Sequence, residues 1–103
     1  MLVKPGTYNI IRADGTEILV HAKPTLRAIL AVTGVAELSH FVLSKRPPLR
    51  VYVDDNGSAI GKPANEKATA LYWGTVKPKR IRQVVGPHSI CGDVAIVNEA
   101  DLI

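Results

Sequence analysis

Apolar and polar residues alternate along several short segments of the chain, and this alternation predicts β-strands. The first two segments are Thr7 to Arg12 and Glu17 to Ala22, and Asp14-Gly15 between them is typical of a tight hairpin turn. The other segments with strand character are Ala36 to Leu43, Val51 to Val53, Ile81 to Val85 and Ile90 to Val97. Because the last segment is apolar almost throughout, we expect a central strand that is covered on both faces.

One segment between these strands has apolar residues at a helical spacing instead. Leu26, Ile29 and Leu30 form the apolar stripe of a predicted helix. Pro24-Thr25 suits the beginning of this helix, since the missing amide of proline has no partner in the first turn. Gly34 is expected to end it.

The stretch after the strand at Val51 to Val53 predicts a second hairpin. Asp55-Asn56-Gly57 contains residues that tolerate positive φ, which is a strong signal for a tight turn. We therefore expect Ile60 to return along the strand at Val51 to Val53. The prolines of Lys45 to Pro48 predict a loop or a stiff connector before this strand.

A second helix is predicted directly after this hairpin. Asn65 is well placed as its N-cap, because its side-chain oxygen can accept from a free amide in the first turn. Ala68, Leu71 and Tyr72 share one apolar face of the helix. Gly74 suits the left-handed position that follows a helix.

Length and composition limit the class of protein. A chain of 103 residues is normally one domain, and 47% hydrophobic but only 5% aromatic residues predict an aliphatic core. We predict an α+β fold, a single compact domain with a mixed or antiparallel sheet of about five to six strands and two short helices. The core is expected to cover about residues 7–97, with 98–103 as a short tail. We expect no secretory signal and no membrane span.

The net charge is +4, which suits an anionic partner, and basic residues gather at Lys45, Arg46 and Arg50 and in one later segment. The segment holds Lys77, Lys79, Arg80 and Arg82 with no acid between them. In an extended chain Arg80 and Arg82 share one side, which favours a local anion site over a long groove for duplex DNA. A guanidinium can bind a phosphate through two parallel hydrogen bonds. The alternative is a solvated charged face.

Three residues upstream complete the predicted ligand site. Trp73 and Tyr72 could stack on a base, and core packing is the alternative for both rings. Asn65 lies at a predicted helix N-terminus, where anions are often bound, and capping is the interpretation that we favour over a ligand contact.

The remaining reactive side chains do not form a catalytic or metal-binding pattern. His88 and Cys91 offer an imidazole and a thiol, but a zinc site needs three or four ligands. We interpret Cys91 as a small buried hydrophobic residue of the last strand, with a Cys-His nucleophile as the alternative. Asp54 is interpreted as a hairpin residue and Asp93 as a hydrogen-bonded structural carboxylate. We predict no metal, no cofactor and no catalytic residue.

Several short motifs resemble a known family. The motifs are Val51 to Gly57, Gly61 to Asn65, Ala68-Thr69, Val85-Gly86 and Gly92 to Val97. They resemble domain-of-unknown-function family 3846, which comprises small proteins of phages and bacterial mobile elements. The similarity runs from about Thr7 to Val97 and is distinctive only after Arg50. The chain departs from the family at Thr33 to Glu37 and at the basic insert. The resemblance implies a compact α+β domain and carries over no catalytic residue.

These observations lead to an expected function. We expect a non-enzymatic small binding protein of phage or mobile-element type. The resemblance implies a host-takeover or counter-defence factor that sequesters a host protein or a small nucleotide signal in the cytoplasm of a bacterial host. The alternative is a nucleic-acid-binding accessory protein that uses the basic patch. Because an apolar final strand needs cover, we also expect a homo-oligomer, most simply a two-fold dimer.

Overall fold

A five-stranded antiparallel sheet with one helix on each face forms the domain, in a computed structural model that describes residues 6–34, 38–54, 61–75 and 90–102. The strands are β1 (Tyr8–Ile11), β2 (Glu17–Val20), β3 (Leu38–Lys45), β4 (Pro48–Asp54) and β5 (Val94–Asn98), and the helices are α1 (Leu26–Thr33) and α2 (Glu66–Thr75). The strand order is β2-β1-β5-β4-β3, and every neighbouring pair is antiparallel. The predicted α+β class is confirmed.

The last strand lies at the centre of the sheet, as the sequence predicts. Val94, Ala95, Ile96 and Val97 are each 0% exposed. Val94 and Ile96 belong to the core under α2, whereas Ala95 and Val97 belong to the core under α1. The cover that this apolar strand requires therefore comes from two helices of the same chain. The dimer that we predicted on this ground stays a prediction.

Helix α1 buries a different face from the predicted one. Ile29 and Thr33 are buried, and Val32 packs beside them, whereas Leu26 and Leu30 are 52% and 39% exposed. The hydroxyl of Thr33 can be buried because it donates to the carbonyl of Ile29 at 3.0 Å. The predicted apolar stripe is wrong at Leu26 and Leu30. The helix instead buries the face that holds Ile29 and Thr33, because the Thr33 hydroxyl is hydrogen-bonded within the helix.

The predicted end of α1 at Gly34 and the predicted start of α2 at Asn65 are confirmed, whereas Pro24 lies before the first turn of α1 instead of within it. Thr25 caps α1 by accepting from the amide of Ala28 at 3.1 Å, and Gly34 ends it at a φ of 61°. Gly74, however, does not end α2, because the helix continues to Thr75. Glycine adopts helical and left-handed φ about equally well, so this residue by itself does not determine where a helix ends.

The first hairpin forms as predicted, and a second hairpin uses a turn that we did not predict, whereas the predicted turn at Asp55 to Gly57 lies outside the described residues. The amide of Thr16 donates to the Asp14 carboxylate at 2.8 Å in the turn between β1 and β2. The second hairpin joins β3 to β4 through Arg46-Pro47. From Leu49 to Tyr52, β4 is paired with β3 on one side and β5 on the other. No edge is free there for the predicted return of Ile60, which itself lies outside the described residues, as does the predicted strand Ile81 to Val85.

The residues after the predicted core form contacts with the rest of the domain. Glu99–Asp101 is a short 3-10 turn, and Asn98 caps it by accepting from the amide of Ala100. Asp101 accepts from the amide of Gly6 at 3.1 Å, and Leu102 packs against the core under α1. This segment therefore joins the two ends of the described chain.

The partly buried ammonium group of Lys62 holds the end of α1 against the end of β4. Lys62 donates to the backbone carbonyls of Thr33 and Gly34 and to the carboxylate of Asp54, the last at 2.8 Å. The carbonyls at the C-terminus of a helix carry partial negative charge and favour a cation. The Asp54 side chain is only 1% exposed, so this ion pair is largely shielded from water.

The side chain of Lys62 reaches these groups by crossing Gly92. A Cβ atom at Gly92 would lie 2.9 Å from Cδ of Lys62, which is closer than real Cβ contacts come, and the φ of Gly92 is +88°. Both facts require glycine.

The Lys62–Asp54 pair should contribute far more stability than an exposed ion pair does. We expect Lys62→Met to lower the free energy of unfolding by about 3 kcal/mol, because it leaves a buried carboxylate without its cation. The matched control is Lys67→Met, since the Lys67–Glu17 pair spans 3.0 Å with both side chains about half exposed (51% and 45%). It should cost less than about 1 kcal/mol.

Urea unfolding at neutral pH measures both changes. Adding Asp54→Asn to Lys62→Met should recover part of the loss, since the amide carries no charge to bury. Equal losses for the Lys62 and Lys67 variants would contradict the interpretation.

Candidate functional site

The structure describes only some of the residues of the predicted ligand site. The four basic residues lie outside the described residues, and their role stays a prediction: Lys77, Lys79, Arg80 and Arg82. Trp73, Tyr72 and Asn65 are described, and all three belong to α2 or its cap.

The two aromatic residues of α2 have opposite environments. Tyr72 is 1% exposed, and its ring stands edge-on to Phe41 of β3 with the ring centroids 5.2 Å apart. Burial raises the pKa of the Tyr72 hydroxyl above its ordinary value. Trp73 is 50% exposed and contacts the Tyr72 ring edge-on at 5.9 Å. Tyr72 thus packs in the core, and the Trp73 ring is the one that solvent reaches.

Asn65 lies in the interior and joins three parts of the fold. Its side-chain oxygen accepts from the amide of Ala68 at 3.0 Å, which is the predicted capping of α2. Its side-chain nitrogen donates to the carbonyls of Ile11 and Gly92 at 2.9 and 3.0 Å. Its backbone amide donates to Ile90 at 2.7 Å. Asn65 is 0% exposed, and its side-chain amide is hydrogen-bonded to groups of its own chain.

Two of the other residues that we considered for chemistry have structural contacts. Asp93 accepts from the amide of Ala13 at 3.0 Å, so the predicted structural carboxylate is confirmed. Cys91 does not lie in β5; it is half-buried and forms an isolated bridge with Ala64 before the strand begins. His88 lies outside the described residues, so its predicted relation to Cys91 stays open.

Two further results concern the described ranges as a whole. In them, no three side chains of His, Cys, Asp or Glu come together as metal ligands would. No helix there has the length and apolar character needed to cross a bilayer.

A polar surface cluster on the α1 side of the sheet was not predicted. The Arg50 guanidinium is held between His40 and Glu99, with Nη1 at 3.0 Å from Nε2 of His40 and Nε at 2.9 Å from Glu99. Because arginine only donates, Nε2 of His40 accepts, which puts the ring proton on Nδ1. The His40 ring also lies 5.5 Å from the ring of Tyr52.

The feature that brings these residues together is the pairing register of β3 and β4. His40 is opposite Tyr52 and Val42 is opposite Arg50, so His40 and Arg50 are diagonal neighbours on one face. The turn at Arg46-Pro47 gives this pairing only together with the one-residue register shift between Val42 and Ser44, and we predicted neither from the sequence.

In comparisons with known proteins, the chain matches no family model, no curated protein and no solved structure.

The donor role of Asn65 can be separated from its capping role. Asn65→Asp keeps the acceptor for Ala68 but turns a second oxygen towards the carbonyls of Ile11 and Gly92. We expect it to cost about 3 kcal/mol of stability, because a buried polar group loses its partners. This reverses the simple capping expectation, in which aspartate replaces asparagine at little cost.

Thr25→Asp is the matched control, since Thr25 caps α1 only as an acceptor. It should change stability by less than about 1 kcal/mol, because aspartate is a good N-cap. Thermal and urea unfolding of both variants measure the difference. If Asn65→Asp is as well tolerated as Thr25→Asp, the two donated bonds do not stabilise the fold.

Proposed function

We propose that the protein is a non-enzymatic binding protein that holds an anionic ligand of nucleotide size beside Trp73. The observation that carries this proposal is the exposed indole of Trp73 in α2. The residue before it, Tyr72, is buried in the core and anchors the helix. Stacking of a base requires an accessible ring, and a ring on an anchored helix loses little freedom when it binds.

The charge of the chain supports an anionic ligand. Lys77 follows Trp73 by four positions, and Lys79, Arg80 and Arg82 come directly after it in the sequence. A base stacked on the indole and a phosphate bound by a guanidinium are the two contacts that we propose.

A nucleic-acid-binding accessory protein is the second candidate, and the same exposed indole favours it. Single strands bind by stacking successive bases on aromatic rings beside cationic side chains. Binding to a strand should weaken steeply as salt rises, because many counterions are released. A nucleotide contacts few phosphates, so its binding should depend less on salt and more on the identity of the base.

The biological role in this proposal rests on the resemblance to the phage and mobile-element family. In that role the protein acts in the cytoplasm of a bacterial host as a host-takeover or counter-defence factor. It would withdraw a nucleotide signal, or a host protein, from the reactions that use it.

The single tryptophan of the chain makes the ligand site testable by fluorescence. We expect one member of a panel of mononucleotides and cyclic dinucleotides to change the emission of Trp73 at low and at high salt. By calorimetry, Trp73→Ala should weaken binding of that nucleotide by about 1–3 kcal/mol, the usual contribution of base stacking. Arg80→Ala/Arg82→Ala should weaken it as well.

Tyr72→Phe is the matched control, because it keeps the buried ring and leaves Trp73 in place. It should bind the nucleotide as the wild type does. Binding only to single-stranded or duplex DNA, with a steep salt dependence, would favour the second candidate. No response to any nucleotide or DNA would remove Trp73 and the basic segment from the functional site.

We further propose that the protein forms a two-fold dimer through α1. Leu26 and Leu30 are one helical turn apart and stand exposed on this helix, a spacing that suits packing against the same helix of a second copy.

Light scattering at tens of micromolar should give twice the chain mass of 11.1 kDa. Leu26→Glu/Leu30→Glu should return the mass of one chain, since the charges would oppose each other across the two-fold axis. Lys23→Glu, an exposed change just before α1, is the control and should leave the mass unchanged. A wild-type mass of one chain would exclude the dimer.

A further inference from the structure

The two edges of the sheet differ in length and therefore in what they can bind. At one edge, β2 has only four residues, whereas β3 at the other edge has eight. Among the described residues β3 pairs with β4 alone. An edge strand presents unpaired backbone N–H and C=O groups that can accept another extended chain. The longer edge is thus the better template.

Exposed apolar side chains accompany this edge on both faces of the sheet. Val42 of β3 is 43% exposed on the α1 side. On the α2 side Phe41 is buried against Tyr72, and Trp73 follows Tyr72 with half of its surface exposed. An added strand would place alternate side chains against these two faces, which is how strand addition obtains its specificity.

The charges around this edge are positive. Lys45 and Arg46 are exposed, and the sequence from Leu38 to Arg50 contains no acidic residue. Arg50, opposite Val42, has one acidic contact, which is Glu99. A second copy would bring the same cations to the edge, whereas an acidic segment would complement them.

The usable part of the edge is its first half. The pairing of β3 with β4 shifts between Val42 and Ser44, and such a bulge disturbs the regular spacing of backbone groups. Lysine near the end of an edge strand also opposes further pairing. The regular stretch is Leu38–Val42.

We propose that the β3 edge from Leu38 to Val42 binds an extended acidic segment of a partner protein as an additional strand. The backbone supplies the hydrogen bonds, Val42 supplies an apolar contact, and Lys45 and Arg46 just beyond this stretch select for acidic side chains. This proposal concerns a protein partner and does not depend on the nucleotide site.

The probe is a synthetic peptide in which glutamate alternates with valine, and its matched counterpart has lysine in place of glutamate. We expect the acidic peptide to bind and to slow the exchange of alternate backbone amides of β3, as an added strand does. Binding should weaken with salt, and the lysine peptide should bind more than about tenfold more weakly.

Two glutamate variants at similarly exposed edge positions test the location. Val42→Glu on β3 should weaken binding of the acidic peptide by more than about tenfold, because it replaces an apolar contact with a like charge. Leu19→Glu on β2 starts from 39% exposure, against 43% for Val42, and should leave binding unchanged. Circular dichroism checks that both variants are folded.

Four results would overturn the proposal. The first is no binding of the acidic peptide, and the second is an equal effect of the two variants. The third is slow exchange of all β3 amides in the free monomer, which would mean that another part of the chain already occupies the edge. The fourth is a dimer that Val42→Glu dissociates, which would assign the edge to a second copy.

Discussion

The buried side chain of Asn65 is the contact on which the rest of the fold depends. One amide group caps α2, binds a carbonyl at the end of β1 and binds a second carbonyl just before β5. These three parts are distant in sequence. If the Asn65 side chain were removed, the backbone groups that it bonds would lose a buried hydrogen-bond partner, which costs stability. The orientation of α2 over the sheet follows from this contact, since the helix starts at β1 and its Tyr72 reaches β3.

Lys62 acts in the same way on the other side of the sheet, only three positions before Asn65. It joins the end of α1 to the end of β4, and its stem crosses Gly92, whose carbonyl Asn65 binds. The short segment before α2 therefore holds both helices to the sheet. Its polar groups are engaged within the fold, which leaves binding to residues that the fold exposes.

The exposed features gather where α2 ends over β3. Tyr72 packs on Phe41 there, and this contact places Trp73 at the surface beside β3, which is an edge strand among the described residues. The proposed nucleotide site and the proposed peptide edge thus use different groups, an indole with a basic segment in one case and backbone with Val42 in the other. Both proposals rely on the positive charge of the chain for an acidic ligand.

The sequence by itself determined the features that depend on neighbouring residues: the turn at Asp14-Gly15, the cap at Asn65, and the apolar character of β5. These follow from local hydrogen bonds and backbone preferences. Only the tertiary structure decided which face α1 buries, which strand β4 pairs with, and that Asp54 meets Lys62. The physical reason is that each of these three features depends on contacts between segments that are distant in sequence. The local pattern of residues is compatible with more than one arrangement of such contacts.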